Sequence, residues 1–226
     1  MAVKKTEEVI EIKPIEMRTI TVKVVGDTPL IMHAWSQKAI NILKDPQLAK
    51  LMKKKQRTPI DDFIQSMYWL EGKPNYDPMD PPNDKIIQDM FDAAIENGAK
   101  FGFPVTAFKQ SAISAAYRMG WAKDKMSLRG AFFISGYSDD MVEIVSDIPI
   151  IRQDMVKVGM GSADVRFRGE FRNWTAELKI KYNVNGKYSL DDIVNIINAG
   201  GMVCGVGEWR PERDGQFGTY HVESAE

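Results

Sequence analysis

The sequence predicts an α+β fold in which a β-α-β…β-α-β frame surrounds a large central insertion. Two segments, 19–25 (Thr-Ile-Thr-Val-Lys-Val-Val) and 174–182 (Trp-Thr-Ala-Glu-Leu-Lys-Ile-Lys-Tyr), alternate with the period of a half-buried strand. Residues 190–199 predict a helix, because Ser189 is a favoured N-cap and two aspartates occupy the first turn. Strands and helices therefore occur in the outer parts of the chain, while the middle is mixed.

In the first half of the chain, we expect a flexible charged arm at residues 1–16, followed by a single domain at residues 17–226. Inserted helical and loop segments are placed at about residues 36–172. Proline and glycine predict a loop at 72–84 and a turn at 101–104. Apolar spacing and capping residues predict helices at residues 36–55, 59–70, 85–97 and 106–119.

In the second half, β-branched and alternating residues predict several strands before the last helix. A flexible break is predicted at 159–163 (Gly-Met-Gly-Ser-Ala), and Gly200 with Gly201 is expected to end the helix that begins at 190. The short alternating run 217–222 predicts the last strand. The other predicted strands are at residues 130–134, 141–145 and 148–158.

Composition restricts the possible classes of protein. With 226 residues, 44% of them hydrophobic, the chain can bury a core as one domain. A net charge of −1 excludes a globally basic protein, so any nucleic-acid contact would need a local basic face. The only cysteine, Cys204, excludes an internal disulfide and a cysteine-based zinc site. No run approaches the ~18 apolar residues of a membrane span, so we expect no membrane contact.

Motifs for catalysis and cofactor binding are missing from the sequence. It has no P-loop, nucleophile elbow, His-Glu-x-x-His or Rossmann fingerprint. The paired acids are adjacent residues, whose side chains diverge and are poorly placed to share a metal ion. We therefore expect no cofactor, no metal and no catalytic residue.

Three segments, in order along the chain, carry a family resemblance. Residues 21–30 run from a strand into a Thr-Pro-Leu turn, and residues 103–112 (Phe-Pro-Val-Thr-Ala-Phe-Lys-Gln-Ser-Ala) open a helix with Lys109 in a basic position. Residues 204–222 form a glycine-rich loop between the last helix and the last strand. Together these segments resemble the RAMP superfamily, which includes the backbone-forming, RNA-binding subunit of CRISPR effector complexes. The chain is also similar to phage proteins of the same pattern.

The resemblance implies an RRM/ferredoxin-like frame and a non-enzymatic protein that binds single-stranded RNA or DNA. Such a protein would assemble side by side along the strand, as a homo-oligomer or within a nucleoprotein complex. Its location would be the cytoplasm of a bacterial or phage-infected cell. Some members cleave RNA with a histidine near the first helix, so a metal-independent ribonuclease using His33 is an alternative. A phage module that mimics a CRISPR subunit and interferes with complex assembly is another.

The leading candidate contacts with nucleic acid are three arginines, Arg166, Arg168 and Arg172, with two aromatics among them, Phe167 and Phe171. Guanidinium groups bind phosphates in a bidentate manner, and aromatic faces stack on bases. The same alternation also fits an ordinary strand with its arginines in water, and nearby acids dilute the local charge. Both interpretations remain open at this stage.

Other cations are candidates for phosphate contacts. Lys109 lies in the first turn of its helix, where it opposes the helix dipole and calls for an anionic partner. Lys53 and Lys54 belong to a run of six basic residues, from Lys44 to Arg57, against one acid. Such a run is usually a solvated helix face, and a helix lysine can simply extend its head to water.

The glycine-rich loop adds Arg210 and Arg213 as candidate contacts to a phosphate backbone. Its glycines indicate positive φ angles or close approach of another backbone; they are Gly205, Gly207, Gly215 and Gly218. Because no helix follows the loop, it lacks the dipole of the usual anion site. We therefore expect its first role to be architectural, as a wall beside the main binding surface.

Overall fold

The computed structural model describes residues 15–47, 58–158 and 161–223. These residues contain ten strands, which are β1 (Met17–Gly26), β2 (Leu30–Met32), β3 (Trp69–Glu71), β4 (Lys100–Pro104), β5 (Phe132–Ser135), β6 (Met141–Ile144), β7 (Ile150–Val158), β8 (Ser162–Phe171), β9 (Thr175–Asn183) and β10 (Tyr220–Val222). They also contain six α-helices, which are α1 (Gln37–Lys44), α2 (Pro59–Ser66), α3 (Asp84–Glu96), α4 (Val105–Arg118), α5 (Met126–Arg129) and α6 (Leu190–Val203). The predicted α+β class is confirmed.

The largest sheet has four antiparallel strands in the order β10-β1-β9-β5. Strand β1 pairs with β9 along its length, from Met17 opposite Asn183 to Val25 opposite Thr175. Every second side chain of a strand points to the same face of the sheet, so the alternation of apolar and polar residues decides which face of the sheet is buried. Val22 and Val24 of β1 and the apolar side chains of β9 are buried, whereas Lys179 and Lys181 are exposed on the open face.

Helices α4 and α6 pack against each other and against the covered face of this sheet. The ring of Phe108 on α4 lies 5.5 Å from that of Tyr220 on β10. The expectation that Gly200 and Gly201 end the last helix is wrong, because α6 continues to Val203. A Cβ on Gly200 would lie 2.8 Å from the backbone nitrogen of Ala112, so this glycine permits close helix packing instead.

Two further sheets are built from segments between the strands of the large sheet. One has the order β2-β8-β7 and is dominated by the long hairpin of β7 and β8, and the other has the order β3-β4-β6. The stretch 36–172, predicted as insertion, is not separate from the large sheet. Its residues 105–135 supply helix α4 and strand β5 to that layer, between stretches that build the smaller sheets.

Most predicted strands and helices are present with small shifts of their ends. The predicted turn at 101–104 is strand β4, and the predicted break at 159–163 gives way to strand β8 from Ser162 onward. Glycine is frequent in both segments, yet β4 pairs along β6; in the second segment Gly161 is a turn with a φ of 133°, and residues 159–160 lie outside the described residues. The helix predicted at 36–55 is α1 up to Lys44, and residues 48–57 lie outside the described residues, as do residues 1–14 of the predicted arm.

Candidate functional site

Two neighbouring depressions in the surface have His33 as a shared lining residue. The first has a volume of about 150 Å³ and lies between the segment that follows β2, helix α2 and strand β8. The second has a volume of about 240 Å³ and lies between the start of α4 and the glycine-rich loop. We call the two together the His33 groove.

The first depression presents aromatic side chains and a cation to solvent. The ring of Trp35 is 67% exposed, and partly exposed Phe167 lines the same depression. Arg166 lies beside Phe167, and its Nε is 3.0 Å from the Asp164 carboxylate, with both side chains about one-third exposed. An exposed ion pair of this kind contributes little to stability, so Arg166 can exchange its partner for a phosphate at low cost.

The second depression has backbone donors at one wall. Helix α4 begins after Pro104, which supplies no side-chain cap. The N–H of Val105 donates to the carbonyl of Asp140, but the next first-turn N–H groups have no acceptor within the helix. Thr106 and Gln110 line this depression and are exposed. Tyr68, the residue before β3, also lines it. This wall is therefore rich in hydrogen-bond donors.

The opposite wall is the glycine-rich loop, which is fixed by its own backbone. Glu208 N–H donates to the carbonyl of Ile31, and Gly218 N–H donates to that of Pro29, at 2.9 Å each. Gly207 has a φ of 79°, and a Cβ there would lie 2.6 Å from the Ile31 carbonyl oxygen. The predicted close approach of backbone is thus present. The loop's other predicted glycines are also tightly enclosed, namely Gly205, Gly215 and Gly218.

Two non-glycine residues of the loop, Trp209 and Asp214, have positive φ angles of 54° and 59°. Such angles are unfavourable for side chains with a Cβ and persist only when surrounding contacts hold them. The indole of Trp209 lowers the pKa of Asp154 on strand β7, and the neighbouring Glu208 carboxylate lies 3.4 Å from Arg168 Nη2 on strand β8. The loop is therefore anchored on the hairpin of β7 and β8.

Beneath the loop, the polar face of this hairpin carries a network of paired charges. Arg168 contacts three groups: its Nη1 donates to Asp154 at 2.9 Å, its Nη2 lies 3.4 Å from Glu208, and its Nε donates to His33 Nδ1 at 3.2 Å. Arg152 adds bonds to Asp154 and Glu170, and its guanidinium lies 4.4 Å from the Phe217 ring centroid. The network joins β7, β8, the loop and His33.

Burial and charge act in opposite directions on Asp154. Burial alone would raise the pKa of this carboxyl, but hydrogen bonds from Arg168, Arg152 and Trp209 outweigh it and lower the pKa below its ordinary value. Asp154 therefore stays ionised in the folded protein, and it needs these donors because its side chain is only 5% exposed.

The hydrogen bond that His33 accepts is that of a neutral imidazole ring. Burial of the ring and the neighbouring Arg168 guanidinium lower the pKa of His33. Because Nδ1 accepts from Arg168, the proton of the neutral ring is on Nε2. The other histidine, His221, lies on β10, where its Nδ1 is 2.6 Å from Asp27. The two histidines are therefore not placed together.

The structure separates the predicted arginine and phenylalanine contacts into different environments. Arg166 and Phe167 line the groove. Arg168 is 6% exposed and engaged in the charge network, and Arg172 is exposed but paired with Glu170 at 2.8 Å. Phe171 is fully buried with its ring 5.2 Å from that of Phe101, so it offers no face for base stacking.

The other predicted cations are also dispersed. Lys109 does not line the groove, and its Nζ lies 4.6 Å from the ring centroid of Phe133, with burial lowering its pKa. Arg210 lines the groove but is committed to the Gly207 carbonyl and to Glu212. Arg213 is exposed in the short 3-10 turn of the loop. Lys53 and Lys54 lie outside the described residues.

Two groove residues, Trp35 and Tyr68, were not among the sequence candidates. Trp35 follows a buried strand within a short polar link, and Tyr68 precedes a three-residue strand. Neither segment alternates clearly, so exposure of these rings depends on the tertiary arrangement. A large aromatic residue outside any apolar run, between Ala34 and Ser36, was the one local signal available.

Comparison of the sequence with protein-family models finds no match, and comparison with curated proteins finds no significant relative. Within the described ranges, no helix is long and apolar enough to cross a membrane. In that same part of the chain, no three His, Cys, Asp or Glu side chains are grouped as a metal site requires.

Proposed function

We propose that this protein binds single-stranded nucleic acid, RNA or DNA, in the His33 groove, without catalysing a reaction. The observation that carries the proposal is the composition of the groove. Exposed Trp35 and partly exposed Phe167 and Arg166 lie at one end, and first-turn amides of α4 that lack an acceptor within the helix lie at the other. Rings stack on any base, and guanidinium and amide groups bind phosphates, so binding would depend little on sequence.

Acidic residues at the groove do not oppose this proposal strongly, because the main ones are neutralised. Glu208 pairs with Arg168, and Glu212 pairs with both Arg210 and Arg118. A strand would therefore meet paired acids rather than an acidic field. Stacking on one exposed ring contributes about 1–3 kcal/mol per base, to which phosphate contacts add.

The topology supports membership of the RAMP superfamily as part of the same proposal. In an RRM/ferredoxin-like β-α-β-β-α-β frame, the strands would be β1, β5, β9 and β10, and the helices would be α4 and α6. The observed antiparallel order β10-β1-β9-β5, with both helices on one face, agrees with that assignment. Side-by-side assembly along a strand, as a homo-oligomer or in a nucleoprotein complex, is the corresponding mode of action.

The test is direct binding of fluorescent single-stranded RNA and DNA at low salt. Trp35→Ala and Arg166→Ala are expected to weaken binding, the first by about fivefold or more. Arg18→Ala is the matched control for Arg166→Ala. Arg18 pairs with Glu16 and Arg166 pairs with Asp164, in each case an acid two residues earlier in the chain, and both ion pairs are accessible to solvent. Phe133→Ala is the aromatic control, since Phe133 is 52% exposed on the open face of the large sheet.

Three outcomes are informative. Loss of affinity in the groove variants alone supports the proposal. Loss in Phe133→Ala alone would move binding to the open face of the sheet and overturn the placement in the groove. No binding of any strand by the wild-type protein would overturn the function, and would favour a protein–protein module.

A ribonuclease using His33 is a second candidate, favoured by the location of this imidazole at the centre of the groove. Its neutral state provides one ring N–H, on Nε2, that can donate to a phosphate or a leaving oxygen. Incubation of labelled RNA with wild type and His33→Ala in the presence of a chelator tests this role. A product that the wild type forms and the variant does not would establish cleavage.

A further inference from the structure

A second cluster of aromatic and basic side chains lies beyond the far end of α4. Exposed rings belong to Tyr117 (48% exposed) and Trp121 (49%), and Tyr188 is partly exposed nearby. Residues 117–129 contain four basic residues against one acid, in a chain whose net charge is −1. We call this cluster the Trp121 patch; its members are Tyr117, Trp121, Lys123, Lys125, Arg129, Lys187 and Tyr188.

Contacts between these side chains hold the patch together. Lys125 Nζ lies 5.6 Å from the ring centroid of Tyr117 and donates to Ser114 Oγ at 3.2 Å. Ser127 and Tyr188 share a hydroxyl hydrogen bond of 3.1 Å, which ties the second aromatic to the same region. Lys187 Nζ lies 5.2 Å from the Tyr188 ring centroid. Two ring–ammonium contacts, Lys125 with Tyr117 and Lys187 with Tyr188, are thus brought into one region by the hydrogen bond of Ser127.

Two of the acids near the patch accept hydrogen bonds at turns, while Asp191 at the start of α6 is exposed. Asp124 accepts from the backbone N–H of Ser127 at 2.8 Å, and Asp192 accepts from Ser189 at the start of α6. The cations Lys123 and Arg129 are exposed. The patch therefore presents positive charge with aromatic faces, the combination that tracks a single-stranded backbone while its bases stack.

A stripe along α4 connects the Trp121 patch to the His33 groove. Thr106 and Gln110 line the groove, and Tyr117 follows at helical spacing on the same side of the helix; Ser114 between them is buried and bonded to Lys125. At 1.5 Å per residue, the 14-residue helix extends about 20 Å. At its side, Arg118 pairs with Glu212, which also lines the groove.

We infer that the Trp121 patch is a second contact surface for single-stranded nucleic acid, which continues from the His33 groove along α4. This inference rests on the proposed function of the groove. Bases would stack on Tyr117 and Trp121, and phosphates would bind Lys123, Lys125 and Arg129. The bound strand would then be longer than the groove alone can hold.

The experiment compares strands of about 4 to about 20 nucleotides, covering the site sizes usual for such proteins. The patch variants are Trp121→Ala and the double variant Lys123→Gln with Lys125→Gln, and the controls are Phe133→Ala and Lys181→Gln on the open face of the large sheet. Short strands are expected to bind all of these proteins equally. Long strands are expected to bind Trp121→Ala about fivefold or more weakly than wild type.

A salt titration provides an independent readout. Each lost phosphate contact on a single strand reduces the slope of log K against log salt by about 0.7. The double lysine variant is therefore expected to lower the slope by about 1.4 with long strands and to leave it unchanged with short ones. Far-ultraviolet circular dichroism checks that the exposed substitutions leave the fold intact.

The outcomes separate this inference from the proposed function. If Trp35→Ala weakens binding while the patch variants bind long strands as wild type does, the inference is overturned and the groove stands. If no strand binds wild type, both are overturned. If the patch variants change the sedimentation of the protein but not strand affinity, the patch holds a second copy of the chain instead, and the inference is again overturned.

Discussion

Replacement of Arg168 by methionine separates the structural role of this arginine from the binding role that the sequence predicted. The side chain is 7% exposed and is bonded to Asp154, whose own side chain is 5% exposed. Arg168→Met keeps most of the volume but removes the charge. Asp154 keeps the hydrogen bond from Arg152 at 2.8 Å, so its carboxylate loses one of two charged donor groups.

The magnitude follows from that geometry. Removing one partner of a buried ion pair costs about 3–5 kcal/mol, and the remaining donors place Arg168→Met near the lower end, at about 3 kcal/mol. For a chain of this size, that loss lowers the melting temperature by about 6–12 °C. Urea unfolding followed by tryptophan fluorescence measures the free energy, and calorimetry measures the melting temperature.

Arg166→Met is the matched comparison, because Arg166 lies on the same strand and its ion pair is about one-third exposed. It is expected to cost no more than about 1 kcal/mol. Strand affinity is expected to change in the opposite order: it weakens most in Arg166→Met, and less in folded Arg168→Met, where the only change at the groove is the loss of the partner of Glu208 and His33. The reasoning is refuted if Arg168→Met unfolds within about 1 kcal/mol of wild type and loses more affinity than Arg166→Met.

Three further predictions concern packing and pH. Gly200→Ala is expected to destabilise the fold by about 1–3 kcal/mol in urea unfolding, because the added Cβ would lie 2.8 Å from the backbone of Ala112; an equal or higher stability would contradict this packing. The pKa of His33 is lower in the folded protein than in the unfolded chain, so the unfolded chain takes up a proton at a higher pH than the folded protein does. The free energy of unfolding should therefore fall as pH drops below about 6.5, and the fall should be smaller in His33→Gln. Trp209→Phe removes a donor to Asp154 and should raise its pKa. Because that carboxyl stabilises the fold only above its folded pKa, acid unfolding should begin at higher pH in Trp209→Phe than in wild type.

Local patterns predicted those parts of the fold whose signal is complete within a few residues. Strand β9 alternates without interruption, and helix α6 begins with a capping box in which Ser189 and Asp192 bond each other's backbone N–H. A two-residue period or a cap needs no distant partner to form. Such segments could therefore be assigned correctly from the sequence.

The site depended on partners that are far away in sequence. The alternation of Arg166, Phe167 and Arg168 is the same for a nucleic-acid stripe and for an ordinary strand. Pairing of β8 with β7 places Arg168 opposite Arg152 and within reach of Asp154, and the loop brings Glu208 from the end of the chain. Nothing in the local sequence specifies that pairing, so the buried and exposed arginines could not be distinguished.

Glycine was ambiguous for a similar reason. A pair of glycines weakens an isolated helix, and this favoured the prediction that α6 ends at Ala199. Packing decides otherwise, since Gly200 lies against α4 and Ser111 Oγ donates to its carbonyl at 2.6 Å. A contact between two helices that are about ninety residues apart cannot be inferred from either helix alone.

The pairing of β1 with β9 has a consequence for the nascent chain. Even the nearest partners, Val25 and Thr175, are 150 residues apart. At roughly 5–20 residues per second of synthesis, β1 emerges about 8–30 s before its neighbour exists. During that interval, an unpaired β-branched segment is open to intermolecular pairing. The charges of Arg18 and Lys23 within β1 oppose such association, so they protect the unfinished chain as well as solvating the finished sheet.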